Sequence, residues 1–147
     1  MRFLVDANIL LYAVNRACSE HRPARDFLER HLAEGTPWCV TLGIVYEFLR
    51  MATHPRVFPA PLSASEAYGF VSRLLEAETV TVLLPTSRHL ELLHRTLRDL
   101  SNPAGSLFHD IATAVLMREY GVREIVTADT DFLQFGFLQI TNPLLSA

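Results

Sequence analysis

Short apolar runs alternate with helix-like segments along the whole chain, and few folds accommodate that order. The runs cover residues 2–5 (RFLV), 37–41 (PWCVT), 80–84, 124–128 (EIVTA) and a shorter 137–140. Between them, residues 7–14, 21–33, 42–52, 63–77, 87–100 and 107–120 carry the apolar spacing of helices. Gly35 and Gly121 stand where helices end, and Ser63 with Glu66 makes a capping box at a helix start. The proline-rich 53–63 (THPRVFPAPLS) and 101–106 (SNPAGS) read as loops. No linker or repeat divides the chain, so residues 1–147 are expected to form one domain. Strand–helix alternation predicts an α/β fold: a central parallel sheet of four to five strands with helices on both faces.

In open α/β sheets the functional crevice lies beyond the carboxyl ends of the strands. Two of the strand-like runs, FLV and EIVTA, finish by running into aspartate, Asp6 and Asp129, and Asp131 follows two residues later. Burying a carboxylate is costly unless it is paired, hydrogen-bonded or bound to a cation. Two further acids sit oddly in helices. Glu47 lies within LGIVYEFL, apolar nearly all round, which predicts a buried helix with Glu47 facing a cavity or interface. Asp110 falls in the first turn of SLFHDIATAVLM, with Ser106 as the expected N-cap and the helix dipole favouring its charge. Each acid also has a plainer use. Asp6 could cap a helix, Asp110 could serve the dipole, Glu47 could pair with Arg50, and Asp129 and Asp131 could form a turn. Taken together, five acids at the polar ends or odd faces of apolar elements point to a converging cluster.

Crowded carboxylates stay ionised when a cation joins them. An all-oxygen donor set suits Mg²⁺, with Mn²⁺ able to substitute, rather than Zn²⁺. The six histidines make no HExxH or similar spacing and are expected at the surface or in the core. All thirteen basic residues are arginine, so mechanisms that need a lysine, including those of P-loop NTPases and Schiff-base enzymes, are excluded. The formal net charge is -3; removing the five acids leaves eleven against thirteen Arg, a net of +2, so the remaining surface is mildly basic. Cys18 and Cys39 form no CxxC or Cys/His cluster and read as buried, reduced thiols. With 147 residues, 50% hydrophobic, no secretory leader pattern and no long uncharged apolar window, the chain reads as a cytoplasmic globular domain without a membrane span.

The ordered set FLVDANILLYA, a lone Glu within an apolar helix, HDIATAVL and IVTADTDF resembles the PIN-domain ribonucleases, and the resemblance covers the whole chain. The length and the ending DFLQFGFLQITNPL are similar to the VapC toxins of bacterial toxin–antitoxin pairs. The resemblance implies a Mg²⁺-dependent endoribonuclease that hydrolyses phosphodiester bonds in RNA, with transfer or ribosomal RNA as target. It implies that Asp6, Glu47, Asp110, Asp129 and Asp131 form the catalytic site. Asp6, Asp110 and Asp129 would hold the metal, supported by Asn8 and Thr127. Members of the family differ in whether the residue matching Asp129 or that matching Asp131 completes the set. A VapB-like antitoxin partner and a homodimer are also implied. The competing readings are a catalytically inert PIN-like RNA-binding or scaffold domain and another phosphoesterase. A haloacid-dehalogenase-like phosphatase needs a second Asp where Asn8 stands and usually a lysine, and a response-regulator receiver needs a lysine too.

Overall fold

The computed structural model describes residues 2–145. The strands are β1 (Phe3–Val5), β2 (Trp38–Thr41), β3 (Val80–Leu83), β4 (Glu124–Val126) and β5 (Gln139–Thr141). The helices are α1 (Ala7–Val14), α2 (His21–Glu34), α3 (Leu42–Ala52), α4 (Ala64–Glu76), α5 (His89–Arg98) and α6 (Leu107–Tyr120). A short 3-10 turn, Thr130–Gln134, joins β4 to β5. All pairings are parallel, in the order β3-β2-β1-β4-β5. Every residue of β1 and β2 is buried, so the sheet centre is covered on both faces and alternation disappears from those strands. The expected architecture is therefore observed, with the fifth strand two residues later than its sequence signal.

The order of the strands places the site. The chain builds outward from β1 through β2 to β3, then returns to lay β4 on the other side of β1. A parallel sheet opens a crevice where the winding reverses, at the carboxyl ends of the strands flanking that point. Here those strands are β1 and β4. Val5 pairs with Val126, and the Asp6 N–H donates to Val126 O at 3.0 Å, so Asp6 and Thr127 leave the sheet side by side.

Local signals explain most of the boundaries. Gly121, at φ 69°, ends α6 in the left-handed conformation that an L side chain adopts only with strain. Ser63 and Glu66 make the reciprocal capping box that opens α4. Three expectations are corrected. Ser106 precedes α6 in helical conformation and its side chain caps nothing. Helix α3 is one-sided: Ile44, Val45, Phe48 and Ala52 are buried, while Leu42 and Tyr46 face outward. Cys39 is buried as expected, but Cys18 is half-buried, at the turn between α1 and α2. Among the described residues no helix is long and apolar enough to cross a membrane.

The segment after β4 is pinned by two aromatic side chains. Phe132 and Phe135 are buried, with ring centroids 5.9 Å apart, and anchor the turn that carries Asp129 and Asp131. Phe132→Ala should therefore cost about 3–5 kcal/mol of stability by leaving a cavity under that turn. Denaturant unfolding checks this, and a loss under about 1 kcal/mol would show that the turn is held by something else.

Candidate metal centre

Asp6 is the most confined of the acids. Its carboxylate is buried at the end of β1, and Oδ1 accepts from the Ala7 N–H at 2.8 Å, so Asp6 does cap α1. Its Oδ2 accepts from the Thr127 hydroxyl at 2.8 Å and from Asn8 Nδ2 at 3.3 Å. Asn8 Nδ2 also donates to Thr127 Oγ1 at 3.0 Å, and Asn8 Oδ1 accepts from the Ala128 N–H at 3.1 Å. Thr127 Oγ1 in turn accepts from the Asp129 N–H at 3.0 Å. Asn8 and Thr127 thus tie the first turn of α1 to the exit of β4. This network fixes the mutual placement of Asp6 and the Asp129 loop.

Asp129 and Asp131 form the turn that was the plainer alternative. The Asp129 carboxylate accepts from the Asp131 N–H at 2.8 Å and opens the 3-10 turn. That use does not exclude a site. One oxygen each from Asp110, Asp129 and Asp131 lie within 4.8 Å of one another, close enough to share a cation. The sequence-derived metal set contained Asp6 in place of Asp131. In the structure Asp131 joins Asp110 and Asp129 in the trio, while Asp6, both oxygens hydrogen-bonded, lines the adjoining cleft with Asp110.

Charge crowding shows in the acidities. Burial, followed by the repulsion of Glu47 and Asp129, pushes Asp6 up from 3.8 to about 6 against the hydrogen bonds from Thr127 and Ala7. Asp110 is pushed up to about 7, first by burial and then by Asp129, Asp6, Asp131 and Glu47. The helix dipole favours the charge of Asp110, while burial and four facing carboxylates act against it. A cation among these groups would reverse the balance, because a nearby positive charge favours their ionised forms. The donors are all oxygen, which fits Mg²⁺ or Mn²⁺.

Glu47 lines a cleft of about 410 Å³ together with Asp6 and Asp110, the cavity that its odd placement implied. Its side chain is exposed to that cleft, and among the described residues it makes no ion pair with Arg50. The cleft also takes in His109, Arg50 and Tyr46, which sequence reasoning left out. His109 precedes Asp110 and Arg50 follows Glu47 by one turn, so helical neighbourhood of the chosen acids was the available signal. Two other histidines serve packing and a clamp. His31 packs edge-on against Phe3 at 5.0 Å, and His89 Nδ1 lies 2.6 Å from Glu119 Oε2.

With this geometry in place, known proteins can be set beside the chain. Residues 3–138 match the PIN domain family. The ribonuclease VapC33 of Mycobacterium tuberculosis is 35% identical over 139 residues, covering 95% of this chain and 96% of that protein. The ribonuclease VapC31 of the same organism is 34% identical over 143 residues, covering 97% and 99%. Among solved structures, the M. tuberculosis sarcin-ricin loop cleaving toxin VapC20 superposes with a TM-score of 0.65 at 21% identity, covering 92% of this chain and 96% of that one. The chain in the Rickettsia felis VapBC2–DNA complex superposes with a TM-score of 0.68 at 13% identity, covering 97% and 98%. These two share the fold.

The raised pKa values of Asp6 and Asp110 have a consequence for stability. Asp6 and Asp110 bind protons more tightly folded than unfolded, so their contribution is complete below about pH 4 and is lost as pH rises through about 6 and 7. In chelator, the melting temperature should fall between about pH 5 and about pH 8. Asp110→Asn should flatten that fall and exceed the parent by roughly 1 kcal/mol at about pH 8, a small effect because Asp110 is partly exposed. A melting-temperature difference that stays constant across the range would contradict the repulsion.

Proposed function

The chain belongs to the PIN-domain family, and from that premise we propose that it is a metal-dependent endoribonuclease, the toxin of a VapBC-type pair. The observation that carries this reading is the convergence of five carboxylates at the sheet's winding reversal, with three oxygens within 4.8 Å. The names of the relatives support it, since VapC33 and VapC31 are both ribonucleases. Mg²⁺ is the proposed ion and Mn²⁺ its substitute; Asp110, Asp129 and Asp131, with Asp6 in the adjoining cleft, are the residues that would hold it. When bound, such an ion lowers the pKa of water and neutralises charge on the phosphodiester oxygens.

The chain's own residues do the rest. Thr127 and Asn8 hold Asp6 and the Asp129 loop in register, so the carboxylates are preorganised rather than gathered by the ion. Asp110 extends from the first turn of α6 without a hydrogen bond among the described residues, and its charge is free to face the ion. Glu47, across the cleft, is positioned to take the proton from the attacking water. RNA is the substrate, with transfer or ribosomal RNA as the target, and the protein acts in the cytoplasm where these RNAs reside.

Two protein contacts complete the reading. The chain pairs with a small VapB-like antitoxin, a proposal supported by fold neighbours solved as VapBC complexes. A cleft of about 880 Å³, lined by Val14, Phe58, Leu62 and Phe70 with Arg16 and Arg73 at its sides, offers room for an amphipathic segment. Alone, the chain forms a homodimer. Phe48 on α3 is buried and Leu62 and Phe70 pack on the core, so these side chains are not available for association. The exposed side chains left to support association include Leu84 and Leu90, at 52% and 75% exposure.

Purified protein should cut RNA with Mg²⁺ and stop in chelator, and Asp110→Asn should lower cleavage by at least about 100-fold while remaining folded. Glu47→Gln should lower kcat more than it changes KM. Full cleavage by folded Asp110→Asn would refute the assignment and favour an inert scaffold. By light scattering, the chain alone should be a dimer at micromolar concentration and grow on adding the small protein encoded beside it. A monomer throughout would remove both partner proposals.

A further inference from the structure

One wall of the 410 Å³ cleft beside the acids is the face of α3 that carries Gly43, Tyr46, Glu47 and Arg50; the other is the face of α6 that carries His109, Ala112, Thr113 and Leu116. Both sets recur every three or four residues, so each helix presents one continuous strip to the space between them. Asp6 and Asp110 also line this space. Two side chains on the α3 strip lack the partners their chemistry calls for. Tyr46 is 68% exposed, with Leu42 exposed one turn before it. The guanidinium of Arg50, one turn after Tyr46, makes no ion pair or hydrogen bond among the described residues, although Glu47 lies one turn away. An open aromatic ring followed by a free guanidinium, in a cleft leading to carboxylates, matches the pattern of a base and its phosphate.

We propose that this cleft is the subsite for one unpaired nucleotide next to the scissile phosphodiester. Tyr46 stacks on the base, and Arg50 pairs with the phosphate on the side away from the acids. This rests on the ribonuclease reading and narrows it to RNA cut where a base is free to leave its stack. A base inside an A-form helix keeps both faces stacked and cannot reach Tyr46, whereas a loop nucleotide can splay out onto it. The volume suits one nucleotide, and the strip holds one aromatic ring, so a single base position is read by stacking and tolerates any base with some preference for purines. Charge complementarity favours RNA over a protein ligand, because an arginine near a cation-binding acid cluster suits a polyanion that bridges both.

The test uses full-length protein made cleavage-silent by Asp110→Asn, titrated with a fluorescent single-stranded oligoribonucleotide and with the same sequence fully paired. The single strand should bind more tightly than the duplex. Adding Tyr46→Ala should weaken single-strand binding about 10-fold, and Tyr46→Phe should restore it to within about twofold. Adding Arg50→Gln should weaken binding and lower the slope of log affinity against log salt by about one. Unchanged affinity in both Tyr46→Ala and Arg50→Gln overturns the subsite. So does a change of oligomeric state in light scattering with RNA affinity intact, which would make this strip an interface between proteins. Tyr46-dependent binding without cleavage of any RNA by the parent protein would overturn the ribonuclease reading and keep the subsite. Cleavage with unchanged variant affinities would do the reverse.

Discussion

Repulsion among carboxylates at the carboxyl edge of the sheet is the constraint on which the arrangement depends. Asp6, Glu47, Asp110 and Asp129 come from four separate stretches of chain; Glu47 and Asp129 push up the pKa of both Asp6 and Asp110, and Asp6 pushes up that of Asp110 as well. Left alone, such a cluster would move apart or stay protonated. The Thr127 hydroxyl and the Asn8 amide prevent the first outcome. Thr127 donates to Asp6 and accepts from the Asp129 backbone, while Asn8 spans from Asp6 to the Ala128 backbone. The outcome is a cluster of acids held together by neutral groups, whose own charge does not change with pH.

The strand order explains why the site falls where it does. A sheet that grew in one direction would place the ends of β1 and β4 far apart. Because the chain returns to β1 after β3, Val5 and Val126 are register partners, and the residues that follow them emerge together. Helix α6 leads into β4, and its first turn brings Asp110 back to the same edge. Buried Phe132 and Phe135 then fold the chain under the acids before β5 begins. Placement of the acids here follows from winding and packing; no strained backbone is needed, and the positive φ of Asn102 lies in the loop before α6.

Much of this was legible in the sequence because its signals are local. A three-residue apolar run ending at Asp6, a capping box at Ser63 and Glu66, and helix stops at Gly35 and Gly121 all depend on near neighbours. Convergence of the five acids was inferred from the rule for parallel sheets rather than seen, and the strand order is not written in any single segment. What stayed hidden depends on three-dimensional surroundings. The orientation of α3 was misread because Leu42 and Tyr46 are apolar yet exposed, so the helix seemed buried all round. The upward push on the Asp110 pKa was not legible, because the helix end is visible in sequence and the opposing carboxylates are not. His109 opens the HDIATAVL motif and Arg50 stood only as a partner for Glu47, and only the packing of α3 against α6 shows that they share a cleft.

The central claim is that these acids form one divalent-cation site whose members are partly protonated until the ion arrives. Proton release on adding Mg²⁺ or Mn²⁺ to weakly buffered, metal-free protein near pH 6.5 tests it most directly, read with an indicator dye. The account predicts release of a sizeable fraction of a proton per chain, fading as the starting pH is raised to about 9, and much reduced in Asp110→Asn. Binding of the ion with no proton release, or with equal release from Asp110→Asn, would contradict it.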